Sequence, residues 1–422
     1  MTATPVPELV SVVMSNYRGA RWLPQAIASV IAQSHRNLEL IIVDDASGDD
    51  SIAVIRTAMA ADQRISLIEC PLNLGPAGAR NLALDAASGD WIAVIDSDDL
   101  MHPARLARMV QAAKHLGCDG IADDMLFFGD TPGAGGRTLM QSLNLTAARD
   151  LPLVDFIASD NGGSGLPSFG YLTPLFRRSA MGSLRYDPTL RVGEDFEFFA
   201  RLLARGASFK LIPDVMYLYR RHSTSLSHRL TTEVLLRRNA AHTELEQLVP
   251  KDDPDLSAAL RRRGEALTWA LKYSQLVAAI KRGQGGAVFR LLSRHPRLVK
   301  PFWQSLRERV ARNRDIGLAV ERTPLALVLI PADTALPTDV AATVDPGARW
   351  ITVPSPTSPG APVPAPLAPL AAELSDLSSR HILDVLAVGD AGLHAFGMVP
   401  HATRLRVWPE TGGRHTVPTS AA

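Results

Sequence analysis

The residues best suited to chemistry are three carboxylates that follow an apolar run. Asp96, Asp98 and Asp99 come directly after Trp91–Ile95. Three anions this close together repel one another unless a cation neutralises them, and a set of oxygen ligands suits Mg²⁺ or Mn²⁺. The alternative is that Asp98 or Asp99 caps a helix that begins near Pro103. Both interpretations stay open for this segment taken alone.

Two other polar segments precede these carboxylates. Asp44 and Asp45 end an earlier apolar run, and the glycine-containing segment Asn73–Asn81 includes Arg80. A carboxylate can accept hydrogen bonds from a nucleobase or a ribose, and an arginine can hold a diphosphate through two parallel hydrogen bonds. A turn followed by a helix cap is the alternative for Asp44 or Asp45.

Two later segments complete the set of candidate residues. Glu194 and Asp195 stand at the head of a helical pattern, where the helix dipole would hold a carboxyl group ionised and available as a base. Capping of that helix is the alternative. His222 follows the strand-like run Val215–Leu218 and could bind a metal or a phosphate, or it could be purely structural.

The elements that position these residues alternate between strand and helix. Apolar, β-rich runs occur at Leu9–Met14, Leu38–Val43, Ile65–Glu69 and Trp91–Ile95, and helical patterns occur at Trp22–Ala32, Ser51–Ala61 and Ala77–Ala87. This alternation predicts an α/β fold with a mainly parallel sheet covered by helices on both faces. Ligands bind beyond the carboxyl ends of such strands, so the polar segments are expected to meet in one crevice.

Composition divides the rest of the chain into segments of different character. Gly129–Leu166 is rich in Gly, Pro and Ser and predicts loops, and the apolar spacing after Gly193 predicts a helix that ends near Gly206. Asp255–Arg314 contains fourteen Lys or Arg residues against three acids. This bias indicates either a surface for anionic lipid or ordinary solvated helices.

The final hundred residues contain short β-like runs at Leu325–Ile330, Trp350–Val353, Ile382–Val388 and Leu405–Trp408. The Pro-rich segment Pro354–Pro369 separates them and predicts a linker-like loop. We therefore expect three parts: a domain at 1–228, a basic helical extension at 229–322 and a small α/β module at 323–422. The function of the last part is not legible in the sequence.

Composition also excludes several classes of protein. The 422 residues are 46% hydrophobic and 21% charged, which is typical of a globular protein with more than one domain. A net charge of +1 gives no global attraction for nucleic acid. Cys70 and Cys118 lack the spacing of a disulfide framework or a zinc site, as in a reducing cytoplasm. Without a signal-like start or an apolar run of about 20 residues, the chain is expected to be either soluble or bound at a membrane surface.

The order of these motifs resembles the family 2 glycosyltransferases, which have the GT-A fold, over residues of about 8–225. That family has a Pro-Thr-Tyr-Asn-like turn, Asp-Asp-Gly-Ser, Asn-x-Gly-x-x-x-Ala-Arg-Asn, Asp-x-Asp and a late Glu-Asp pair. Here Ser15–Arg18 lacks the usual proline, and Ala46 replaces the usual glycine. Asn161–Met181 and the Glu-Asp helix are similar to bacterial exopolysaccharide transferases of the succinoglycan type.

The resemblance implies a role for each matching residue on the donor side. Ser15 and Tyr17 would line the nucleotide pocket, and Asp45 would contact the base. Arg80 would lie near the diphosphate, and Asp96 near the sugar and the ribose. The implied donor is a nucleotide-diphosphate sugar.

The resemblance also implies an inverting, single-displacement reaction. Asp98 would hold a divalent ion, Mn²⁺ or Mg²⁺, with His222 as a further candidate ligand. Asp195 would act as the base that deprotonates an acceptor hydroxyl group. The implied acceptor is a saccharide, in particular a lipid-linked intermediate of an exopolysaccharide, at the cytoplasmic face of the inner membrane.

Other functions were weighed against the same residues. A processive synthase would need membrane-spanning helices and a Gln-x-x-Arg-Trp segment, and the sequence has neither. A dinucleotide-dependent oxidoreductase would need Gly-x-Gly-x-x-Gly after the first strand, where this chain has Ser15–Gly19. A non-catalytic protein that binds nucleotide sugars, or a scaffold of a polysaccharide assembly complex, stays open.

Overall fold

A computed structural model describes nine segments of the chain: 8–129, 138–161, 164–222, 231–250, 252–299, 323–331, 348–353, 381–388 and 402–408. Their larger sheet has nine strands. These are β1 (Val10–Asn16), β2 (Leu38–Asp44), β3 (Ile65–Glu69), β4 (Trp91–Asp96), β5 (Leu100–Met101), β6 (Gly120–Gly129), β7 (Arg149–Asp150), β8 (Leu175–Arg177) and β9 (Phe209–Arg221).

The strand order of this sheet is β3-β2-β1-β4-β8-β6-β9-β5, with β7 beside β9. The first four strands are parallel, β8 is antiparallel to both of its neighbours, and β6 and β9 are parallel again. The prediction of an α/β fold with a largely parallel sheet is therefore confirmed. The first four predicted strands agree with the observed ones to within two residues.

The helices around this sheet are α1 (Leu23–Ile31), α2 (Ser51–Ala61), α3 (Gly75–Ala86), α4 (Arg105–Leu116), α5 (Leu153–Ala158), α6 (Arg178–Met181) and α7 (Glu194–Ala204). They cover both faces of the sheet. Val12 and Met14 of β1 pack into one hydrophobic cluster, and the intervening Val13 packs into the other. A central strand buried on both faces explains why β1 has a continuous apolar sequence rather than an alternating one.

The segment predicted as loops is partly helical. Within Gly129–Leu166 the structure contains the short strand β7 and the helix α5. Phe156 and Ile157 of α5 are buried in one of the two cores, and their burial stabilises a helix that the surrounding Gly, Pro and Ser residues concealed. The glycine-rich stretch Thr131–Gly136 lies outside the described residues.

The helix predicted after Gly193 is confirmed as α7. Gly193 precedes it with φ of 85°, and Gly206 follows it with φ of 91°. Both angles lie in the left-handed region that favours glycine, so the two glycines allow the chain to turn sharply into and out of the helix.

Beyond α7 the chain forms three helices and a second sheet. The helices are α8 (Thr232–Leu248), α9 (Pro254–Lys281) and α10 (Gly285–Arg294). The second sheet contains β10 (Thr323–Pro331), β11 (Arg349–Val353), β12 (His381–Val388) and β13 (Ala402–Trp408), all parallel, in the order β11-β10-β12-β13. All four strands were predicted, whereas Pro354–Pro369 lies outside the described residues. Among the helices of the described segments, none has both the length and the apolar character needed to span a bilayer.

An ion-pair cluster joins the helical extension to the first domain. Asp160, in a short 3-10 turn after α5, accepts hydrogen bonds from Arg238 of α8 and from Arg263 of α9. The guanidinium group of Arg263 also lies 4.2 Å from the centre of the Phe196 ring in α7. The extension therefore packs against the helix that carries Asp195.

Candidate active site

The carboxyl ends of β1, β2 and β4 meet at the point where the strand order reverses. Ser15 pairs with Asp96 across β1 and β4, and Asn16 pairs with Asp44 across β1 and β2. The Asn16 side-chain amide donates a hydrogen bond of 2.8 Å to Asp44. The structure thus brings the polar ends of these three strands into the single crevice that the sequence predicts.

The turn after β1 depends on Gly19. A Cβ atom at this position would lie 2.1 Å from the side-chain oxygen of Asn16, so only glycine allows the two to approach this closely. Tyr17 is 45% exposed at the rim of the crevice, and Ser15 is half-buried inside it. Their predicted contacts with the nucleotide stay predictions.

The Asp44–Asp45 segment forms a turn and also contacts the first residues of α3. Asp44 accepts hydrogen bonds from the backbone and the hydroxyl group of Ser47, across Ala46 at φ of 59°. This angle favours glycine, so Ala46 carries local backbone strain. Asp45 is buried, and its two oxygens accept the N–H groups of Leu74 and Gly75 at the start of α3.

These contacts affect both interpretations of Asp45. The alternative that Asp44 or Asp45 caps the next helix is wrong, because α2 has Asp50 at its N-cap and no side-chain cap. Asp45 instead stabilises the start of α3, one helix later. Its predicted contact with the base stays a prediction, and that contact would have to share oxygens that already accept backbone hydrogen bonds.

The three carboxylates after β4 form one cluster. Oxygens of Asp96, Asp98 and Asp99 all lie within 4.8 Å of one another. Asp99 is buried, and it accepts hydrogen bonds from the Tyr217 hydroxyl group and from the backbone N–H of Arg220. The alternative that Asp98 or Asp99 caps the following helix is wrong, because α4 starts after Ala104 without a side-chain cap.

The electrostatics of this cluster fit a bound cation. Burial raises the pKa of Asp99 well above its ordinary value, and the neighbouring charges of Asp98 and Asp96 raise it further. Burial also raises the pKa of Asp96, with Arg80 opposing the shift and Asp98 adding to it. A divalent ion would relieve this repulsion. The side chains of Asp96 and Asp98 are 35% and 28% exposed, so both could reach such an ion.

His222 lies beside the cluster, as its predicted role requires. Its Nε2 atom is 2.7 Å from a carboxylate oxygen of Asp98, and its ring centre is 5.9 Å from that of Trp22. The histidine and Asp98 therefore converge on the same region. Its predicted binding of a metal or a phosphate stays a prediction.

Arg80 links the acid cluster to α7. Its guanidinium group is 3% exposed and donates hydrogen bonds to Asp96 at 2.6 Å and to Glu194 at 2.7 Å. The same group lies 3.3 Å from Asp195. Because three protein carboxylates surround this cation, the geometry does not favour its predicted contact with the diphosphate, which stays a prediction.

Asp195 is therefore on the same side of the fold as the acid cluster. Burial raises its pKa to about 7, Glu194 and Asp96 add to the shift, and Arg80 and Tyr186 oppose it. The dipole of α7 favours the ionised form, and burial, the largest influence on this pKa, favours the protonated form. A carboxyl with this pKa is well matched to a general base near neutral pH.

Four residues that contact the candidate site residues were not identified from the sequence. Glu194 was seen only as half of an acidic pair, although it is a principal partner of Arg80. Tyr217 and Arg220 lie in β9, and Tyr186 precedes α7. No local pattern singles out the three, because their roles come from tertiary contacts with Asp99 and Asp195. Arg80 itself was the one available signal for Glu194, since a buried arginine needs carboxylate partners.

Comparisons with known proteins agree with this geometry. The fold and the crevice define a GT-A type α/β protein, and the model of Glycosyl transferase family 2 matches residues 11–179. Succinoglycan biosynthesis protein ExoU of Rhizobium meliloti is 34% identical over 235 residues, which are 54% of this chain and 67% of ExoU. EpsE of Bacillus subtilis is 32% identical over 228 residues, which are 53% of this chain and 77% of EpsE. The chain belongs to glycosyltransferase family 2.

A further relative and two solved structures are also similar. ExoO of Rhizobium meliloti, a succinoglycan biosynthesis protein, is 37% identical over 229 residues, which are 53% of this chain and 64% of ExoO. The structure of S. aureus TarS 1–349 in complex with UDP-GlcNAc matches this protein at 14% sequence identity and a TM-score of 0.47. The match covers 68% of this chain and 91% of the TarS chain. The structure of the mannosyltransferase PcManGT from Pyrobaculum calidifontis, in complex with GDP-Man and Mn²⁺, matches at 19% sequence identity and a TM-score of 0.46. The match covers 70% of this chain and 82% of the PcManGT chain.

Proposed function

We propose that this chain transfers a sugar from a nucleotide-diphosphate sugar to a hydroxyl group of a saccharide, with inversion at the anomeric carbon. The observation that carries the proposal is the link through Arg80, which holds Asp96 of the acid cluster and Asp195 of α7 on one buried cation. A cation-binding carboxylate cluster and a base with a pKa near neutrality are the two components that a single displacement needs.

On the donor side, Asp98 and Asp96 would hold Mn²⁺ or Mg²⁺, with His222 beside them. When bound, the ion would offset the negative charge that develops on the departing nucleoside diphosphate. Tyr217 and the backbone of Arg220 fix Asp99, and Asp99 anchors this end of the cluster to β9. Ser15 and Tyr17, at the end of β1, are placed to line the nucleotide pocket.

On the acceptor side, Asp195 would take the proton from the attacking hydroxyl group. Its carboxyl group is ionised above a pH of about 7, and Arg80 keeps it oriented toward the cluster. Holding donor and acceptor in line removes much of the entropic barrier to a reaction between two molecules. One base is sufficient, because an inverting displacement forms no covalent intermediate with the protein.

The acceptor we propose is a lipid-linked intermediate of an exopolysaccharide. The similarity to two succinoglycan biosynthesis proteins supports this class of acceptor. A lipid-linked acceptor lies at a membrane surface, so the enzyme would have to work there. We accordingly propose a peripheral position on the cytoplasmic face of the inner membrane.

The helical extension has the side chains for such a contact. Trp269 and Ile280 of α9 are 41% and 37% exposed, and Phe289 of α10 is 76% exposed. Exposed basic side chains accompany them on α9, including Arg261 and Arg262. Apolar side chains that can enter the headgroup region, next to cations that attract anionic lipid, are typical of a peripheral membrane helix.

Transfer of labelled sugar from a panel of UDP and GDP sugars, with and without Mn²⁺, tests the proposed function. We expect transfer from one donor, loss of transfer on chelation of the metal, and recovery when Mn²⁺ is restored. In Asp195→Asn, transfer should fall by about a thousandfold or more, because the base is gone. That donor should still raise the melting temperature of the variant.

The matched control is Asp150→Asn, which neutralises an exposed carboxylate of β7, a strand that pairs with the start of β9 and not with the part of β9 that contacts the acid cluster. This variant should transfer sugar at the wild-type rate. If a donor stabilises the wild-type protein and yet no sugar is transferred or hydrolysed, the chain is a non-catalytic binding protein instead. Full activity in Asp195→Asn would exclude Asp195 as the base.

A further inference from the structure

Tyr186 and Asp195, the proposed base, each have a buried polar atom, and their side chains are within hydrogen-bonding reach of each other. The Tyr186 hydroxyl group and the Oδ1 atom of Asp195 are both inaccessible to solvent, and neither has a fully formed hydrogen bond within the described part of the chain. The hydroxyl group is nevertheless close enough to the Asp195 carboxyl to lower the pKa of that carboxyl. A buried polar atom without a partner costs free energy, so a pair of them in mutual reach indicates a function.

The position of Tyr186 is fixed from two sides. Its ring is 1% exposed and stacks on the ring of Phe198 in α7, with centres 4.2 Å apart and planes within 11°. The side chain of Asn81 in α3 forms two hydrogen bonds with the backbone of Tyr186, donating to its carbonyl at 2.9 Å and accepting from its N–H at 2.8 Å. The tyrosine therefore cannot move independently of α3 and α7.

We propose that Tyr186 is a positioning residue whose hydroxyl group donates a hydrogen bond to Oδ1 of Asp195 and so directs Oδ2 toward the acceptor. Asn81 fixes the position of Tyr186 relative to Asp195 through its two hydrogen bonds to the tyrosine backbone. This inference rests on the proposed function, in which Asp195 is the general base. The inference also assigns a role to Asn81, which follows Arg80 in the Asn73–Asn81 segment and has no part in the proposed donor binding.

The exposure of Asp195 agrees with this division of its two oxygens. The side chain as a whole is 26% exposed, although Oδ1 is inaccessible. Oδ2 is therefore the oxygen that an incoming hydroxyl group can reach. It lies 3.3 Å from Arg80, which is longer than the 2.6 and 2.7 Å contacts that Arg80 makes to Asp96 and Glu194.

Tyr186 also stays protonated, as a donor must. Burial raises the pKa of its hydroxyl group well above the ordinary value, and the nearby charges of Asp195 and Glu194 raise it further, against the opposing effect of Arg80. The charged groups around the pair are thus Arg80, Glu194 and, acting on Asp195, Asp96. A tyrosine held in this state can donate its proton in a hydrogen bond throughout the working pH range.

The substitution Tyr186→Phe tests the proposal, because it removes only the oxygen and keeps the stacked ring. We expect kcat to fall about tenfold while KM for the donor stays unchanged, since the base is misplaced and the donor side is intact. The acidic limb of the pH profile should also move to higher pH, because a group that lowers the pKa of Asp195 has been lost. Tyr171→Phe, which removes the hydroxyl of a 38% exposed tyrosine, is the matched control and should leave kcat and the pH profile unchanged.

A second variant, Asn81→Ala, tests the path through the backbone. If Asn81 acts through Tyr186, the double variant Asn81→Ala/Tyr186→Phe should lose no more kcat than the more impaired single variant. If the fold-losses in kcat of the two single variants multiply in the double variant, the two residues act independently and this path is excluded. The inference itself is overturned if the wild-type protein is active and depends on Asp195 while Tyr186→Phe matches it in kcat and pH profile. An inactive wild-type protein would instead overturn the proposed function.

Discussion

The guanidinium group of Arg80 contacts three carboxyl groups that come from distant parts of the chain. Asp96 ends β4, and Glu194 and Asp195 begin α7, about a hundred residues later. Two of these contacts are strong, short hydrogen bonds to a cation that is almost fully buried. Loss of Arg80 would leave three neighbouring carboxyl groups without a cation in a poorly hydrated site, so the four side chains act as one unit.

Activity should depend on pH through Asp195. Its pKa of about 7 means that the carboxyl is protonated and inactive as a base at low pH, and ionised above neutrality. We therefore expect kcat/KM to rise about tenfold per pH unit below pH 6 and to level off above pH 8. The measurement is transfer at saturating Mn²⁺ from pH 5 to pH 9. A profile that is flat across this range would show that another group removes the proton.

Individual residues could be predicted from the sequence only in part. The acids at 96, 98 and 195 were identified because carboxylates at the ends of apolar runs are visible in a one-dimensional pattern. Their partners were not. Tyr217 and Tyr186 are aromatic residues in apolar surroundings, and nothing local separates a phenol that orients a carboxylate from one that only fills a core.

At the scale of elements, β9 is central to the site. This strand of thirteen residues pairs with β6, β5 and β7, and its C-terminal part supplies Tyr217 and Arg220 to Asp99. The strand that joins β6 to the short strands β5 and β7 thus also holds one end of the acid cluster. Under this strand, Arg105 of α4 lies 4.9 Å from the centre of the Tyr217 ring and binds Asp123 of β6.

The Arg105–Asp123 pair should be important for stability. Both side chains are almost completely buried, and Asp123 accepts two hydrogen bonds from Arg105, at 2.9 and 2.8 Å. Asp123→Asn keeps the shape but leaves a buried arginine without its counter-charge, so we expect a loss of about 3 kcal/mol in the free energy of unfolding. Urea denaturation measures this loss.

The control for this prediction is an ion pair on the surface. Arg56 and Glu69 are 64% and 43% exposed, and Glu69→Gln should change the free energy of unfolding by less than about 1 kcal/mol. Equal effects of Asp123→Asn and Glu69→Gln would mean that water reaches the Arg105 pair and that it does not support β6 and α4 as described.

Element types were easier to predict than element boundaries or partners. Parallel strands buried on both faces leave long apolar runs, and these gave β1, β2 and β4 correctly. The helix α5 was missed because its six residues are too few to show a helical period, and its stability comes from Phe156 and Ile157 in the core. The antiparallel strand β8 has only three residues and also gave no usable pattern.

At the scale of the whole molecule, the extension is tied to the first domain and still presents exposed apolar and basic side chains. We expect the protein to float with vesicles that contain anionic lipid and to stay at the bottom of the gradient with neutral vesicles. Added salt should weaken the association, because it screens the attraction to the lipid surface. Phe289→Ser should reduce recovery with anionic vesicles, since its 76% exposed ring is lost.

The matched control for the vesicle experiment is Leu72→Ser. Leu72 is 59% exposed but belongs to the loop between β3 and α3 rather than to α9 or α10, so this variant should float as the wild-type protein does. Equal recovery of the wild-type protein with neutral and anionic vesicles would remove the proposed membrane contact. It would leave the transfer reaction itself untouched.

Arg80 and Asp99 have partners more than a hundred residues later in the sequence, and this sets a minimum length for a truncated version of the protein. A fragment ending at residue 179, where the family match stops, would retain Arg80 and Asp99 but discard Glu194, Asp195 and Tyr217. Arg80 would keep Asp96 as its one carboxylate partner, and Asp99 would lose both of its hydrogen-bond donors. The shortest fragment that keeps all of these contacts includes Tyr217 and the backbone of Arg220. A truncated protein should therefore not end before β9 is complete.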